Sequence, residues 1–278
     1  MIGKGTSYGA ITVINAMPCG IGSTIGITLR TEAVYTPTGQ TKDVGIRNDP
    51  SENKTMAGIC VAETYKRMGI EEPEGWLLNI SSEIPISRGL KSSSSACNAI
   101  ISSVLDSERF DMDVIEKIRL GVACARKANV TVTGAFDDAC GCELGGLVIT
   151  DNTKDTILFH EDIDDYDILI YVPKNKIRKT GLPLEKLKSV SSEAEALIDI
   201  AKTNPFKAMT LNGKLIASVS GVDNFIADLA MKHGAKSAGI SGSGPAVAIV
   251  LEHGDTEDFI KRSGLIGLIG TRTRRPRI

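Results

Sequence analysis

The sequence predicts an α+β protein folded in two domains. Three observations carry that reading. Strand-like runs and helix-like periodicities are mixed along the chain, without the strict alternation of a doubly wound sheet. The 278 residues are enough for two modest domains. A turn, Asp151-Asn152-Thr153, interrupts the chain near its middle. A boundary there gives an N-terminal domain over 1–152 and a C-terminal domain over 153–278.

The first half begins with β-branched runs at residues 10–16 (A-I-T-V-I-N-A) and 25–29 (I-G-I-T-L), which suit strands. Pro18, Gly20 and Gly22 mark the turn between them. A third short strand is expected over 32–35, and the polar stretch 37–53 reads as a loop carrying Arg47. Met56, Ile59, Cys60, Val61, Tyr65 and Met68 recur close to a 3.6-residue period, so a helix is expected over 54–68 with Gly69 as its C-cap. A strand at 76–81 leads into a serine-rich loop and a helix ending near Leu105. Asp111 or Asp113 caps the next helix, whose apolar face holds Ile115, Ile118, Val122 and Ala125. Residues 129–133 read as extended.

In the second half, strands are expected at 156–159 and 167–172, and Pro173 ends the latter. A polar, lysine-rich connection follows. Helices are expected at 192–203, 205–219 and 222–233. A glycine-rich turn at 239–245 precedes an apolar strand at 246–251. A helix at 256–262 and a strand near 265–269 close the chain.

Composition excludes several classes. Hydrophobic residues are 42% and charged residues 24%, as in an ordinary globular protein. A net charge of −2 argues against a general nucleic-acid binder. No apolar run approaches the length of a membrane span, and the first residues lack the apolar core of a signal peptide. A cytoplasmic protein is expected, with no nucleic-acid or membrane partner. The six cysteines are scattered, without a C-x-x-C pair, and Cys140-Gly-Cys142 is too close for an ordinary disulfide or zinc pair. They read as buried thiols. His160, His233 and His253 show no metal spacing.

Three stretches carry chemistry. The first is residues 83–99, E-I-P-I-S-R-G-L-K-S-S-S-S-A-C-N-A. A loop of small residues that opens a helix is suited to anions, because the first N–H groups of the helix lack internal partners and the dipole adds positive charge. Pro85, Ser87, Arg88, Gly89, Leu90, Lys91, Ser92, Ser93, Ser94, Ser95 and Ala96 are the candidate phosphate-binding residues. Arg88 and Lys91 add charge, and serine hydroxyls can bond phosphate or Mg²⁺. The plain alternative is a capped helix with nothing bound.

The second stretch, G-A-F-D-D-A, sets Asp137 and Asp138 among small residues and cysteines. Acidic pairs in such a setting are costly unless they bind something. One carboxylate can orient or deprotonate a hydroxyl. The alternative is a surface turn. The third, G-I-S-G-S-G-P, offers Gly242, Ser243 and Gly244 beside a nucleotide. It precedes a strand, whereas a dinucleotide fingerprint follows one. The tail T-R-T-R-R-P-R-I is basic and reads either as a solvated end or as a segment that reaches back to an anionic ligand.

The order and spacing of these stretches resemble the GHMP kinase superfamily over most of the chain. Within it, residues 5–26, 130–139 and 239–246 are most similar to the archaeal shikimate kinases. The resemblance implies an N-terminal domain like ribosomal protein S5 domain 2 and a ferredoxin-like C-terminal domain. It implies ATP- and Mg²⁺-dependent phosphorylation of the shikimate 3-hydroxyl on the route to chorismate and aromatic amino acids. It brings Ser92 and Ser93 to phosphate, with Ser93 on the metal. The catalytic carboxylate is Asp137 when counted from G-x-x-D and Asp138 when counted back from Gly145-Gly146. Lys91 departs from the family, which has a small residue there. Many members carry a metal-binding Glu on the preceding helix, where Glu116 is the only acidic residue here; the alternatives for that role are Asp137 or Asp138, or a metal held mainly by ATP and water. Shikimate's carboxylate calls for a guanidinium, and Arg47, Arg88 and Arg178 are candidates. Rival readings are a kinase of homoserine or mevalonate, and a non-catalytic nucleotide-binding protein.

Overall fold

The β-branched N-terminal runs form a long antiparallel ribbon in the computed structural model, which describes residues 1–47, 53–86, 89–173 and 183–276. Strand β1 (Gly3–Ile14) pairs with β2 (Ile21–Thr38) along its whole length. The short strand expected at 32–35 is the second half of β2. The chain stays extended through Arg30 because β1 continues alongside it.

The other edge of β2 is shared. Residues 21–25 pair with β5 (Leu147–Asp151), and residues 31–38 pair with β4 (Gly75–Ser82). Strand β3 (Lys42–Ile46) joins β4 in parallel, inside the stretch expected to be a loop. Its composition hides it. As an edge strand it buries only Val44, so a polar sequence suffices. Strand β6 (Thr156–Glu161) extends this first sheet from β5, so residue 152 lies between two paired strands.

Helices α1 (Thr55–Met68), α2 (Ser92–Glu108) and α3 (Val114–Lys127) pack together, with α2 lying across β1 and β2. Their shared core holds Tyr35, Trp76, Leu78, Ile100 and Val104, with Cys60, Cys97 and Cys124 as buried thiols. Residues 129–133, expected to be extended, form an irregular loop in which Asn129 has φ 55°. Helix α4 (Phe136–Leu144) follows, with Asp137 and Asp138 in its first turn.

The second sheet is antiparallel, in the order β10 (Ile269–Arg272), β7 (Tyr166–Tyr171), β9 (Val247–Glu252) and β8 (Ser237–Ile240). The final strand comes a few residues later than expected, because Gly264 and Gly267 turn the chain first, both at positive φ. Helix α5 (Leu184–Lys188) lies in the expected lysine-rich connection, and α6 (Ser191–Thr203), α7 (Pro205–Ser220), α8 (Phe225–Lys232) and α9 (Thr256–Ser263) follow. Helix α7 touches both β8 and β1, so it joins the two sheets. One core cluster runs across that junction, from Ile11, Val13 and Ile25 to Ile168, Met209 and Val250. The α+β expectation holds. Among the described residues no helix is long and apolar enough to cross a membrane.

Candidate functional site

All three chemistry-bearing stretches meet at one end of the first sheet. Helix α2 begins at Ser92 after Lys91, which sits in the left-handed region at φ 67°. Helix α4 begins after Ala135, which is also left-handed at φ 55°. Non-glycine residues held this way cost about 1–3 kcal/mol each and tend to mark functional sites. The two helix N-termini are tied by Lys91. Its Nζ lies 2.6 Å from Asp138 Oδ1, and its side chain is 5% exposed. Burial pulls the Lys91 ammonium down, but the charges of Asp138 and Asp137 outweigh burial and hold it above its ordinary value.

Asp137 is buried and held from several sides. Asn152 Nδ2 donates to its Oδ1 at 2.7 Å, and the Asp137 N–H donates to Asn152 Oδ1 at 3.0 Å. The Thr150 hydroxyl donates to that same Asn152 oxygen, which fixes the amide's orientation. Thr24 Oγ1 donates to the Asp137 carbonyl at 2.9 Å. Gly22 leaves room for the carboxylate, since a Cβ there would sit 2.3 Å from Asp137 Oδ2. Burial first, and then the neighbouring Asp138 charge, push the Asp137 carboxyl up from 3.8 to about 7, against the opposing pull of Lys91 and Asn152. A carboxyl poised there can accept a proton from a bound hydroxyl at neutral pH.

The turn 241–245 closes the site from the second sheet. Ser241 Oγ donates to the Gly89 carbonyl at 2.9 Å and accepts from Thr12 N–H at 3.3 Å. Gly242 N–H donates to Thr12 Oγ1 at 2.7 Å, and Asn15 Nδ2 donates to the Gly242 carbonyl at 2.8 Å. Gly89, at φ 84°, permits this packing, because a Cβ there would lie 2.0 Å from the Ser241 carbonyl oxygen. The glycine-serine turn therefore docks onto the serine loop. A small open cleft of about 60 Å³ lies beside them, lined by Thr12, Asn15, Lys91, Asp137, Asp138 and Ser243 among others. It shares Ala16, Met17 and residues 131–133 with a wider opening that reaches Arg126, Thr153 and Lys188.

Of the sequence-predicted residues, Lys91, Asp137, Asp138, Gly242 and Ser243 line the cleft. Ser92 and Ser93 are half-buried in the first turn of α2, and Ala96 is half-buried one turn on. Ser94 and Ser95 are buried inside that turn, Leu90 is a core residue, and Gly244 is buried in its turn. Pro85 is half-buried in the loop after β4. Ser87, Arg88 and Arg178 lie outside the described residues. Arg47 is exposed after β3 and does not line the cleft, and Glu116 pairs with Arg67 at the surface. The basic tail binds no part of the cleft through Arg274, which turns instead to the far end of α4.

Thr12, Asn15, Asn152, Arg126 and Lys188 were not singled out by the sequence. Asn152 had a signal, since it sits in the turn used to place the domain boundary, but turn chemistry explained it fully.

Among the described residues no group of three His, Cys, Asp or Glu side chains is placed to hold a metal. Asp138 already holds Lys91. Hydroxyls at the start of α2 and a carboxylate pair suit an ion carried in by phosphates, because Mg²⁺ keeps several waters and takes few protein ligands.

A family model described as the GHMP kinases N-terminal domain matches residues 56–146, and one described as GHMP kinases C-terminal matches residues 191–264. The chain belongs to the GHMP kinase family. It is a small-molecule kinase, and the family implies ATP as the phosphoryl donor. The chain is 36% identical to the shikimate kinase of Pyrococcus furiosus over 98% of its own length and 99% of the relative's. It is 35% identical to that of Methanothrix thermoacetophila, over 96% and 91%. The fold of this GHMP kinase superposes on the mevalonate kinase of Methanococcus jannaschii with a TM-score of 0.81 at 17% identity, covering 99% and 98% of the two chains. Lactococcus lactis galactokinase gives 0.75 at 16% identity, covering 99% and 94%.

Proposed function

We propose that this GHMP kinase transfers the γ-phosphoryl group of ATP to the 3-hydroxyl of shikimate, giving shikimate 3-phosphate and ADP on the route to chorismate. Full-length similarity to the archaeal shikimate kinases supports the substrate. The observation that carries the chemistry is Asp137, buried in the cleft wall with Asn152 holding one carboxylate oxygen.

Phosphoryl transfer needs positioning and charge neutralisation rather than a covalent intermediate. In this reading the open N–H groups and the Ser92 and Ser93 hydroxyls of α2 receive the β- and γ-phosphates. Gly242 and Ser243 border them from the second domain. Ser93 would hold a phosphate-bound Mg²⁺, which would supply further charge neutralisation. Asp137 accepts the proton of the acceptor hydroxyl as the new O–P bond forms and the γ-phosphorus parts from the bridging oxygen of ADP. Asp138 holds Lys91 beside Asp137, so the lysine charge stays at the reacting end of the cleft.

The acceptor lies toward the wider opening. Arg126 there already forks onto Asp155, at 2.6 and 2.7 Å. Among the described residues, Lys188 is the cation of that opening with no ion pair, which suits the shikimate carboxylate. The cytoplasm is the compartment this reading assigns.

A coupled ADP-release assay with Mg-ATP and a panel of shikimate, homoserine and mevalonate tests the proposal. Turnover with shikimate alone is expected. Turnover with another member of the panel instead would overturn the substrate and keep the phosphoryl-transfer chemistry.

A further inference from the structure

The helix that carries Asp137 and Asp138 is held at its other end by the C-terminal tail. Helix α4 is only nine residues long, and its N-cap residue Ala135 offers no side-chain cap, so Asn152 caps its first turn from outside the helix. Its last carbonyls point away from the cleft and need partners. Arg274, 9% exposed, supplies donors there, beside Ser7 Oγ at the Cys142 carbonyl and the Gly145 N–H at the Gly141 carbonyl. Its Nη2 donates to the Cys142 carbonyl at 3.0 Å and reaches the Gly141 carbonyl at 3.4 Å. A guanidinium at a helix C-terminus is also favoured by the helix dipole. The guanidinium stacks over the Tyr8 ring of β1, with its central carbon 4.4 Å from the ring centroid.

The backbone around Arg274 is clamped as well. Arg274 N–H donates to the Gly26 carbonyl, Gly26 N–H donates to the Gly146 carbonyl, and Gly146 N–H donates to the Arg274 carbonyl. These three bonds form a closed ring that joins β2, the residue pair after α4, and the tail. The tail reaches this ring directly from β10, a strand of the second sheet. Thr273 secures the approach, since its hydroxyl donates to the Asp164 carbonyl and accepts from Tyr166 N–H. The second sheet also carries the turn with Gly242 and Ser243 between β8 and β9. One sheet thus delivers a turn to the mouth of the cleft and a cation to the base of the helix that bears the acidic pair.

We propose that Arg274 is a positioning residue for phosphoryl transfer, which fixes α4 from its C-terminal end so that Asp137 and Asp138 sit at the depth the reaction needs. The inference rests on the kinase reading above. Helix α4 is about 13 Å long at 1.5 Å per residue, so Arg274 acts through the helix and touches neither substrate. Misplacement of a reacting group by about 1 Å costs roughly a hundredfold in rate. A loosened helix is therefore costly even where the fold survives.

The test uses the full-length chain, with Arg274→Gln and Arg274→Lys beside the unaltered protein. Turnover of shikimate by the unaltered protein is measured first, and its absence would count against the kinase reading rather than this inference. Arg274→Gln is expected to lower kcat by about ten- to a hundredfold while KM for ATP stays within about twofold. The acid limb of its pH–rate profile should move to lower pH, because a loosened first turn lets water reach Asp137. The buried Cys142 thiol should react faster with a thiol reagent, read by peptide mass mapping. Arg274→Lys keeps the charge and one donor, and should recover most of the lost rate. If Arg274→Gln does not fold, Arg274→Lys carries the test, with a partial fall in kcat at unchanged KM. A folded Arg274→Gln protein with unchanged kcat would overturn the inference. So would a loss confined to thermal stability, with the pH profile unmoved.

Discussion

Lys91 immediately precedes α2 and Asp138 lies in the first turn of α4, and their side chains meet at 2.6 Å in the cleft wall. The pair joins the serine loop to the acidic motif. It also gives the two adjacent aspartates different environments. Asp138 has a cation in direct contact, whereas Asp137 has the amide of Asn152. Two neighbouring carboxylates placed so differently take different tasks.

Asp137→Asn should cost at least about a hundredfold in kcat, in line with the loss of a general base. The amide is isosteric and still accepts from Asn152, so ATP binding should hold. Steady-state kinetics and an ATP titration by calorimetry check the two halves. Unchanged turnover would remove Asp137 from the mechanism.

The same substitution has a pH signature in stability. Asp137 releases its proton at about 7 in the folded chain and at 3.8 ordinarily. Between those values the folded state binds more protons than the unfolded state, so this residue makes stability fall as pH rises. Asp137→Asn lacks that penalty. Its melting temperature should exceed that of the unaltered chain at pH 8, and the gap should narrow toward pH 5. A gap that widens on acidification would contradict the assignment.

Lys91→Met removes a charge that holds the Asp137 carboxyl down. The acid limb of kcat/KM, expected near pH 7, should then move upward, and KM for ATP should rise. A pH–rate series on both proteins is the check. A downward shift would mean that Lys91 does not act on Asp137 through its charge.

Gly89→Ala should weaken the union of the serine loop and the glycine-serine turn. The obstacle is the Ser241 backbone, which cannot swing aside as a side chain can, and the φ of 84° adds strain. A loss of at least about 1 kcal/mol in stability is expected from the strain alone. Denaturant unfolding and the KM for ATP report it.

Gly22→Ala acts on the opposite wall, where the new methyl would meet Asp137 Oδ2. Turnover should fall by about tenfold or more with a smaller change in ATP binding. Equal losses in both would point to a general loosening of the sheet.

Much of this protein was legible in the sequence because its signals are local. Apolar faces close to a 3.6-residue period marked α1 and α3, a β-branched run marked β1, an apolar run marked β9, and small residues ahead of a helix-forming run marked the serine loop. Strand β3 was missed because an edge strand needs little apolar character, and α4 was missed because glycine and cysteine blur its helical pattern. The serine loop, the acidic pair and the glycine-serine turn each announced themselves through residue types that only special backbone or charge chemistry requires.

The sequence by itself determined the kind of fold, the three loops and the family they belong to. Only the tertiary structure decided which groups those loops present to one another. It set Lys91 against Asp138, put Asn152 on Asp137, hollowed Gly22 to receive a carboxylate and brought Arg274 to the base of α4. The physical reason is range. Helix period and turn chemistry act over a few residues. A buried charge finds its partner across whole strands and helices, where pairing register and packing bring distant side chains within hydrogen-bond reach.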